Sequence, residues 1–219
     1  MLSFRSAFTS CMLVTFLLGS FVPDTAAQFS VLSELQGYVS IGTTAPQSPR
    51  SFNELNGTGV NVRAGVGLPI GARWSAILSG SYHTLPSEEA SGPFFNSITG
   101  QSGTVTAEGG YAMVTAMGEL KYTLFATDVA HLYFIGGGGA YREEASFKAR
   151  FNFDDPTQPD ETERSTFTTT GMLASVGGGF TLMFTEAIGA FVEPRYGLLF
   201  YSPEMERYVT VRGGIAFRP

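Results

Sequence analysis

The sequence predicts an all-β fold: an eight-stranded, antiparallel, up-and-down transmembrane β-barrel. Three observations carry that reading. Apolar and polar residues alternate with period two in eight successive segments, the connections between them are short on one rim and long on the other, and one face of the clearest strands is free of charge.

Residues 1–27 read as a cleaved signal peptide. Arg5 gives a short positive start, and residues 11–22 form an apolar run shorter than the roughly 20 residues a membrane helix needs. Pro23 breaks the run, and Thr25-Ala26-Ala27 places small residues before an expected cut between Ala27 and Gln28. Residues 28–219 are then the barrel domain. The only cysteine, Cys11, precedes the apolar body of the leader, so lipoprotein processing is not expected and the mature chain carries no disulfide. No second long apolar segment follows. The exported chain therefore either dissolves or crosses a membrane as strands, because closed barrels are the only non-helical way to satisfy every backbone group in lipid.

Composition agrees. The chain holds 27 Gly, 19 Phe and 9 Tyr, its lysines are Lys121 and Lys148 alone, and charged residues make up 15% against roughly 25% in soluble domains. A formal charge of −6 gives no basic stripe for nucleic acid.

The expected strands are 31–42, 58–69, 73–84, 104–125, 131–151, 165–184, 187–201 and 208–218. The first two bring Glu34 and Arg63 to the polar face. The third opens on Trp74 and carries Ser79, Ser81 and His83 on one face. In the fourth, Val114, Ala116, Leu120, Tyr122 and Leu124 oppose Thr115, Glu119, Lys121 and Thr123. The fifth holds Arg142, Glu144, Lys148 and Arg150 and the tract Gly136–Gly139, and the sixth holds Gly177–Gly179. The seventh sets Ile188, Ala190, Val192, Tyr196, Leu198 and Phe200 against Glu193 and Arg195. The eighth sets Val209, Val211, Ile215 and Phe217 against Thr210, Arg212 and Arg218. Connections at 69–72, 126–130 and 185–186 are tight, whereas 43–57, 85–103 and 152–164 are long and polar; only 202–207 breaks this pattern. Long loops are expected outside the cell.

A soluble barrel would show the same period, so other features decide. Charges of both signs within strands imply an interior filled by an ion-pair network of Glu34, Arg63, Glu119, Lys121, Arg142, Glu144, Glu193, Arg195 and Arg212, which plugs a bore that eight strands leave narrow. Aromatic residues near strand ends imply two membrane girdles: Tyr82, Phe147, Phe200 and Tyr208 at the long-loop rim, with Trp74, Tyr133, Phe184 and Phe217 at the other.

Gly118-Glu119-Leu120-Lys121-Tyr122, Tyr133 to Gly139, Val192-Glu193-Pro194-Arg195-Tyr196 and the closing Val211–Phe217 resemble the small outer-membrane barrel superfamily of OmpA-type and OmpX-type barrels, over the whole mature chain. The resemblance implies residence in the bacterial outer membrane after export, contact with outer-membrane lipid and lipopolysaccharide, and folding by the barrel-assembly machinery, whose signal the C-terminal aromatic strand resembles. Here Arg218 and Pro219 follow Phe217.

The glycine tracts lack the following helix and Lys-Ser/Thr pair of a phosphate loop and are read as strand glycines. Ser79, Ser81 and His83 raise the possibility of a barrel enzyme acting on outer-membrane lipid, but strand neighbours two apart stand about 7 Å from each other and no hydrolase motif surrounds them. Acidic loop residues (Glu88, Glu89, Asp154, Asp155, Asp160, Glu161, Glu163, Glu204, Glu206) match no calcium-loop spacing, so no metal site is expected. The sequence thus points to a monomeric barrel with a structural or surface-interaction role, without enzyme activity or cofactor. A lipid-modifying barrel enzyme and a soluble exported barrel binding a small hydrophobic ligand are the alternatives.

Overall fold

The wall is built by strands whose side chains alternate strictly between two environments. Along β8, Val192 is 47% exposed while Glu193 and Arg195 are 2% and 3% exposed, and on β9 Ile215 is 53% exposed beside buried Arg212. A computed structural model of the protein describes residues 34–49, 56–87, 89–96, 101–154, 160–200 and 205–218. The expected leader, with Glu88, Asp155 and Glu204, lies outside them. Nine strands are described: β1 Gln36–Ser48, β2 Gly59–Pro69, β3 Trp74–Pro86, β4 Ala90–Asn96, β5 Gln101–Ala126, β6 Ala130–Phe153, β7 Glu161–Met183, β8 Ile188–Phe200 and β9 Met205–Phe217.

Eight of them close a ring. Each pairs antiparallel with its sequence neighbour, β3 pairs with β5, and β9 returns to β1. Following paired residues from Ala190 through Ile215, Val39, Ala64, Gly80, Ala116, Ala140 and Met172 leads back to Phe200, ten residues further along the starting strand. A closed sheet must stagger in this way, and the stagger tilts its strands by about 35–45°. With no free edge in the ring, its backbone groups pair without water.

The strand outside the ring, β4, continues β3. β3 and β4 both run antiparallel to β5, β3 against Tyr122–Gly110 and β4 against Ala107–Gln101, and Ser87 between them bridges to Asn56. The stretch 85–103, expected as a loop, is therefore largely strand. β6 and β7 likewise reach Phe153 and start at Glu161, shrinking the expected 152–164 loop. β8 meets β7 only from Met172 onward, so β4 and the outer halves of β5, β6 and β7 rise beyond the closed ring as a four-stranded sheet. Backbone pairing continues there although no lipid imposes an apolar face, which is why alternation did not reveal it. The first strand was expected at 31–42 and starts at Gln36, because pairing to β9 begins where Gly37 meets Phe217.

Outward side chains on the ring are apolar: Val39, Ile41, Val62, Val114, Leu120, Val176, Val192 and Ile215 are all exposed. The lumen is stratified. Tyr38, Ile77, Tyr133, Ile135 and Phe191 fill the short-turn end, and Leu85, Tyr111, Met113, Met117, Tyr141, Leu173, Leu199 and Tyr208 fill the other. Charged groups occupy the layer between.

Candidate functional site

The middle layer is assembled by five strands. β2 contributes Arg63, β3 Ser79, β5 Glu119, β8 Glu193 and Arg195, and β9 Arg212, all on inward positions and all buried. Glu119 is gripped by Arg63 from one side and Arg195 from the other, and takes the Ser79 hydroxyl at 3.0 Å. Glu193 Oε1 receives Arg195 Nε at 2.7 Å and lies 3.2 Å from Arg212 Nε and 3.7 Å from Arg63 Nη1; its Oε2 accepts the Tyr133 hydroxyl at 3.1 Å. Ser175 lies 3.3 Å from Arg195 Nη1. Three guanidiniums thus share two carboxylates, leaving one formal positive charge. Burying ions costs several kcal/mol each; the crossed pairing offsets part of that cost, while Arg195 Nη2 and Arg212 Nε are buried without a hydrogen-bond partner among the described residues.

Room for these long side chains comes from glycine across the sheet. Glu119 pairs with Gly137, Arg195 with Gly177 and Arg212 with Gly42. The tracts read as strand glycines sit mid-strand in β6 and β7.

Of the nine residues expected in the network, Arg63, Glu119, Glu193, Arg195 and Arg212 come together. Lys121 enters the lumen but stands apart: its Nζ donates to the Tyr38 hydroxyl at 2.9 Å and lies 5.0 and 5.2 Å from the ring centres of Tyr38 and Tyr133. Arg142 and Glu144 are corrections, exposed on the outward parity of β6 with Phe134. They lie beyond the apolar wall, where polarity no longer marks the inside. Glu34 precedes β1 and is exposed. The adjacent Glu143 was missed; it points inward and accepts the Tyr111 hydroxyl at 2.5 Å.

The girdle residues divide similarly. Trp74, Tyr82, Phe184, Phe200 and Phe217 face outward, and Trp74 packs on Tyr122 with ring centres 4.7 Å apart. Tyr133 and Tyr208 are corrections: both share parity with inward residues and are buried in the two lumen clusters. Phe147 is exposed on the raised sheet, 6.3 Å from Phe167.

His83 is buried, its Nε2 2.9 Å from Ser81 Oγ and its Nδ1 2.8 Å from Thr44 Oγ1. The side chains therefore converge although the spacing suggested otherwise. The third member is a threonine, which Asn61 holds at 3.0 Å, and Ser81 turns to Thr115 at 2.6 Å. Among the described residues no three His, Cys, Asp or Glu side chains gather as a metal ion requires.

A closed ring, an apolar outer wall and buried ions within define a membrane-spanning β-barrel, the arrangement lipid demands and water forbids. The soluble-barrel alternative needs the apolar face inside and does not fit this wall. No family model and no curated protein matches the chain. Solved structures similar to it include small outer-membrane barrels. Ail, the attachment invasion locus protein of Yersinia pestis, has 13% identity and a TM-score of 0.48, covering 84% of this chain and 99% of its own. Neisserial surface protein A has 12% and 0.44, covering 85% and 98%. The N-terminal barrel domain of Pseudomonas aeruginosa OprF has 13% and 0.38, covering 84% and 98%.

Proposed function

We propose that the protein is a structural and surface-interaction barrel of the bacterial outer membrane, with its raised sheet outside the cell and its lumen closed. The observation that carries this is the continuation of β4–β7 beyond the end of β8. A barrel that only had to span lipid needs about 9–11 residues per strand, whereas β5, β6 and β7 have 26, 24 and 23. The surplus displays Phe147 and Phe167, both exposed and 6.3 Å apart, and further out holds half-buried Phe94 against Phe151 and Phe153 at 5.5 and 5.7 Å. The exposed rings of Phe147 and Phe167 suit contact with another surface.

Trimming β4–β5 and β6–β7 back to the ring with short turns tests this. The trimmed protein should still float with outer membranes and shift on a gel after boiling, while expressing cells lose attachment to protein-coated surfaces. Undiminished attachment overturns the surface role.

The lumen has two apolar layers enclosing the ion pairs, which supports a closed bore. A lipid-modifying enzyme is the second reading, because Ser81 meets His83. His83 turns its Nδ1 to the Thr44 hydroxyl and, among the described residues, not to the carboxylate that a Ser-His-Asp triad uses to orient its histidine. Replacing His83 and Ser81 by alanine should leave the lipid A mass profile of expressing cells unchanged; an altered profile favours the enzyme.

A further inference from the structure

Among the described residues the raised sheet has two unpaired edges, β4 and the outer half of β7, and they differ in chemistry. Alternate residues of a strand turn their backbone groups to opposite sides. A Cβ on Gly80 of β3 would stand 3.5 Å from the Thr115 carbonyl oxygen, so odd-numbered residues of β5 face β3 and β4. Their partners Ala90, Gly92 and Phe94 face back, which leaves Ser91, Pro93 and Phe95 turned to the free edge. Pro93 has no N–H to offer there. Proline on an edge strand blocks the addition of another strand.

The β7 edge has no such block. A Cβ on Gly138 of β6 would stand 3.2 Å from the Leu173 carbonyl oxygen, so odd-numbered residues of β7 turn to β6 and even-numbered ones turn away. From Met172 downward β8 takes the latter; above it no described strand does. The N–H and C=O groups of Thr162, Arg164, Thr166 and Thr168 therefore line an open edge, and all four residues are exposed. Threonine favours the extended strand, so the edge is already shaped as a template.

Its two faces carry opposite charge. Toward the barrel axis stand Glu161, Glu163 and, beyond Ser165, Phe167, whose ring lies 6.3 Å from that of Phe147. Away from the axis Arg164 stands between Thr162 and Thr166, directly opposite Lys148 on β6. Like charges directly opposite each other destabilise a sheet, and opposite charges stabilise it. A further strand with a carboxylate beside Arg164 and cations beside Glu161 and Glu163 would relieve each of these.

We propose that the β7 edge from Glu161 to Thr168 binds an extended segment of a partner protein by antiparallel strand addition. The segment carries basic residues opposite Glu161 and Glu163, an acidic residue opposite Arg164 and an apolar residue opposite Phe167. Main-chain bonds supply affinity in this mode, and alternate side chains supply selection. The inference rests on the surface-contact role and names the partner's chemistry. A second copy of the chain does not fit, because among the described residues neither β4 nor β7 carries a cation on its axis side.

The full mature barrel, folded in detergent, is titrated with a fluorescent peptide of this pattern and followed by anisotropy. A charge-reversed peptide and one N-methylated along the side that meets β7 are the comparisons. Gel shift on boiling first shows that each variant is folded. Wild type should bind the matched peptide, and the N-methylated one should bind about tenfold less, because edge carbonyls stay unpaired. T166P removes an N–H that faces the free edge and should weaken binding by about tenfold on the same ground. E161K/E163K should weaken it by about tenfold through like charge. E186Q, in the turn at the opposite rim, should change nothing. The N-methylated peptide needs no variant and decides the matter if T166P does not fold. No binding by folded wild type, or equal binding of the N-methylated or charge-reversed peptide, overturns the proposal. If that happens while trimming the sheet still abolishes cell attachment, the edge is wrong and the surface role stands.

Discussion

Arg195 on β8 and Gly177 on β7 are direct cross-strand partners, and a Cβ on that glycine would stand 2.7 Å from the arginine's Cγ and 2.4 Å from the Pro194 carbonyl oxygen. The buried guanidinium and the bare backbone beside it are one structural unit. The barrel holds its inner charges because glycine gives them space.

Gly177→Ala should therefore destabilise the folded barrel by about 1–3 kcal/mol, the usual range for overpacking. Gly118→Ala is the matched comparison, since nothing lies within 4 Å of its Cβ position, and a surface change of this kind stays within about 0.5 kcal/mol. Guanidinium unfolding in vesicles measures both, and equal effects contradict the account.

Glu119 is the carboxylate shared by Arg63 and Arg195. Glu119→Gln should cost about 3–5 kcal/mol, because two buried cations are left leaning on Glu193. Adding Arg63→Met should recover part of the loss by removing one of those charges. A double variant no more stable than the single one shows that the charges are not coupled.

Closure of the lumen has an electrical consequence. Wild type in planar bilayers should show no large, steady conductance. Neutralising Glu119, Glu193 and Arg195 together should raise open events, since the middle layer then loses its crossed pairing. Large steady conductance in the wild type that this triple variant leaves unaltered contradicts closure by the ion pairs.

The Glu108–Lys148 pair lies above the lipid, on the raised sheet. The Lys148 bond lowers the Glu108 pKa in the folded state, so its contribution is complete above the ordinary carboxylate range and fades as pH falls through the lowered value. Lys148→Met should raise the Glu108 midpoint in a carboxyl NMR titration. It should not restore it fully, because Arg150 and Arg164 also lower it. An unchanged midpoint shows that the pair does not form in solution.

Period two was sufficient wherever a strand lies wholly within lipid. Along β8 and β9, Val192, Glu193, Arg195, Arg212 and Ile215 sit on the sides that alternation assigns. It misled where a strand outruns the bilayer. Arg142 and Glu144 are polar because the outward face above Ala140 no longer meets hydrocarbon, and polarity alone placed them inside. Tyr133 and Tyr208 show the converse: nearness to a strand end suggested a girdle, but parity with Ile135 and Thr210 sends both rings inward. The two apolar lumen layers were illegible, since Leu199 and Met113 look in sequence like lipid-facing residues. β4 left no signal because Ala90–Asn96 contains glycine, proline and serine and meets no uniform medium on either face.

Everything above depends on which side of the wall meets hydrocarbon, and spin-label accessibility in vesicles measures that directly. Cys11 is the only cysteine of the sequence, so in a protein made from Gln28 onward nitroxides at Val192→Cys, Ile215→Cys and Thr210→Cys each report one site. Labels at 192 and 215 should be relaxed strongly by oxygen and weakly by an aqueous nickel chelate, while the label at 210, set on a buried inward position, should respond weakly to both. Strong nickel relaxation at 192 and 215 would mean that the apolar wall faces water, and the membrane-spanning barrel would be wrong.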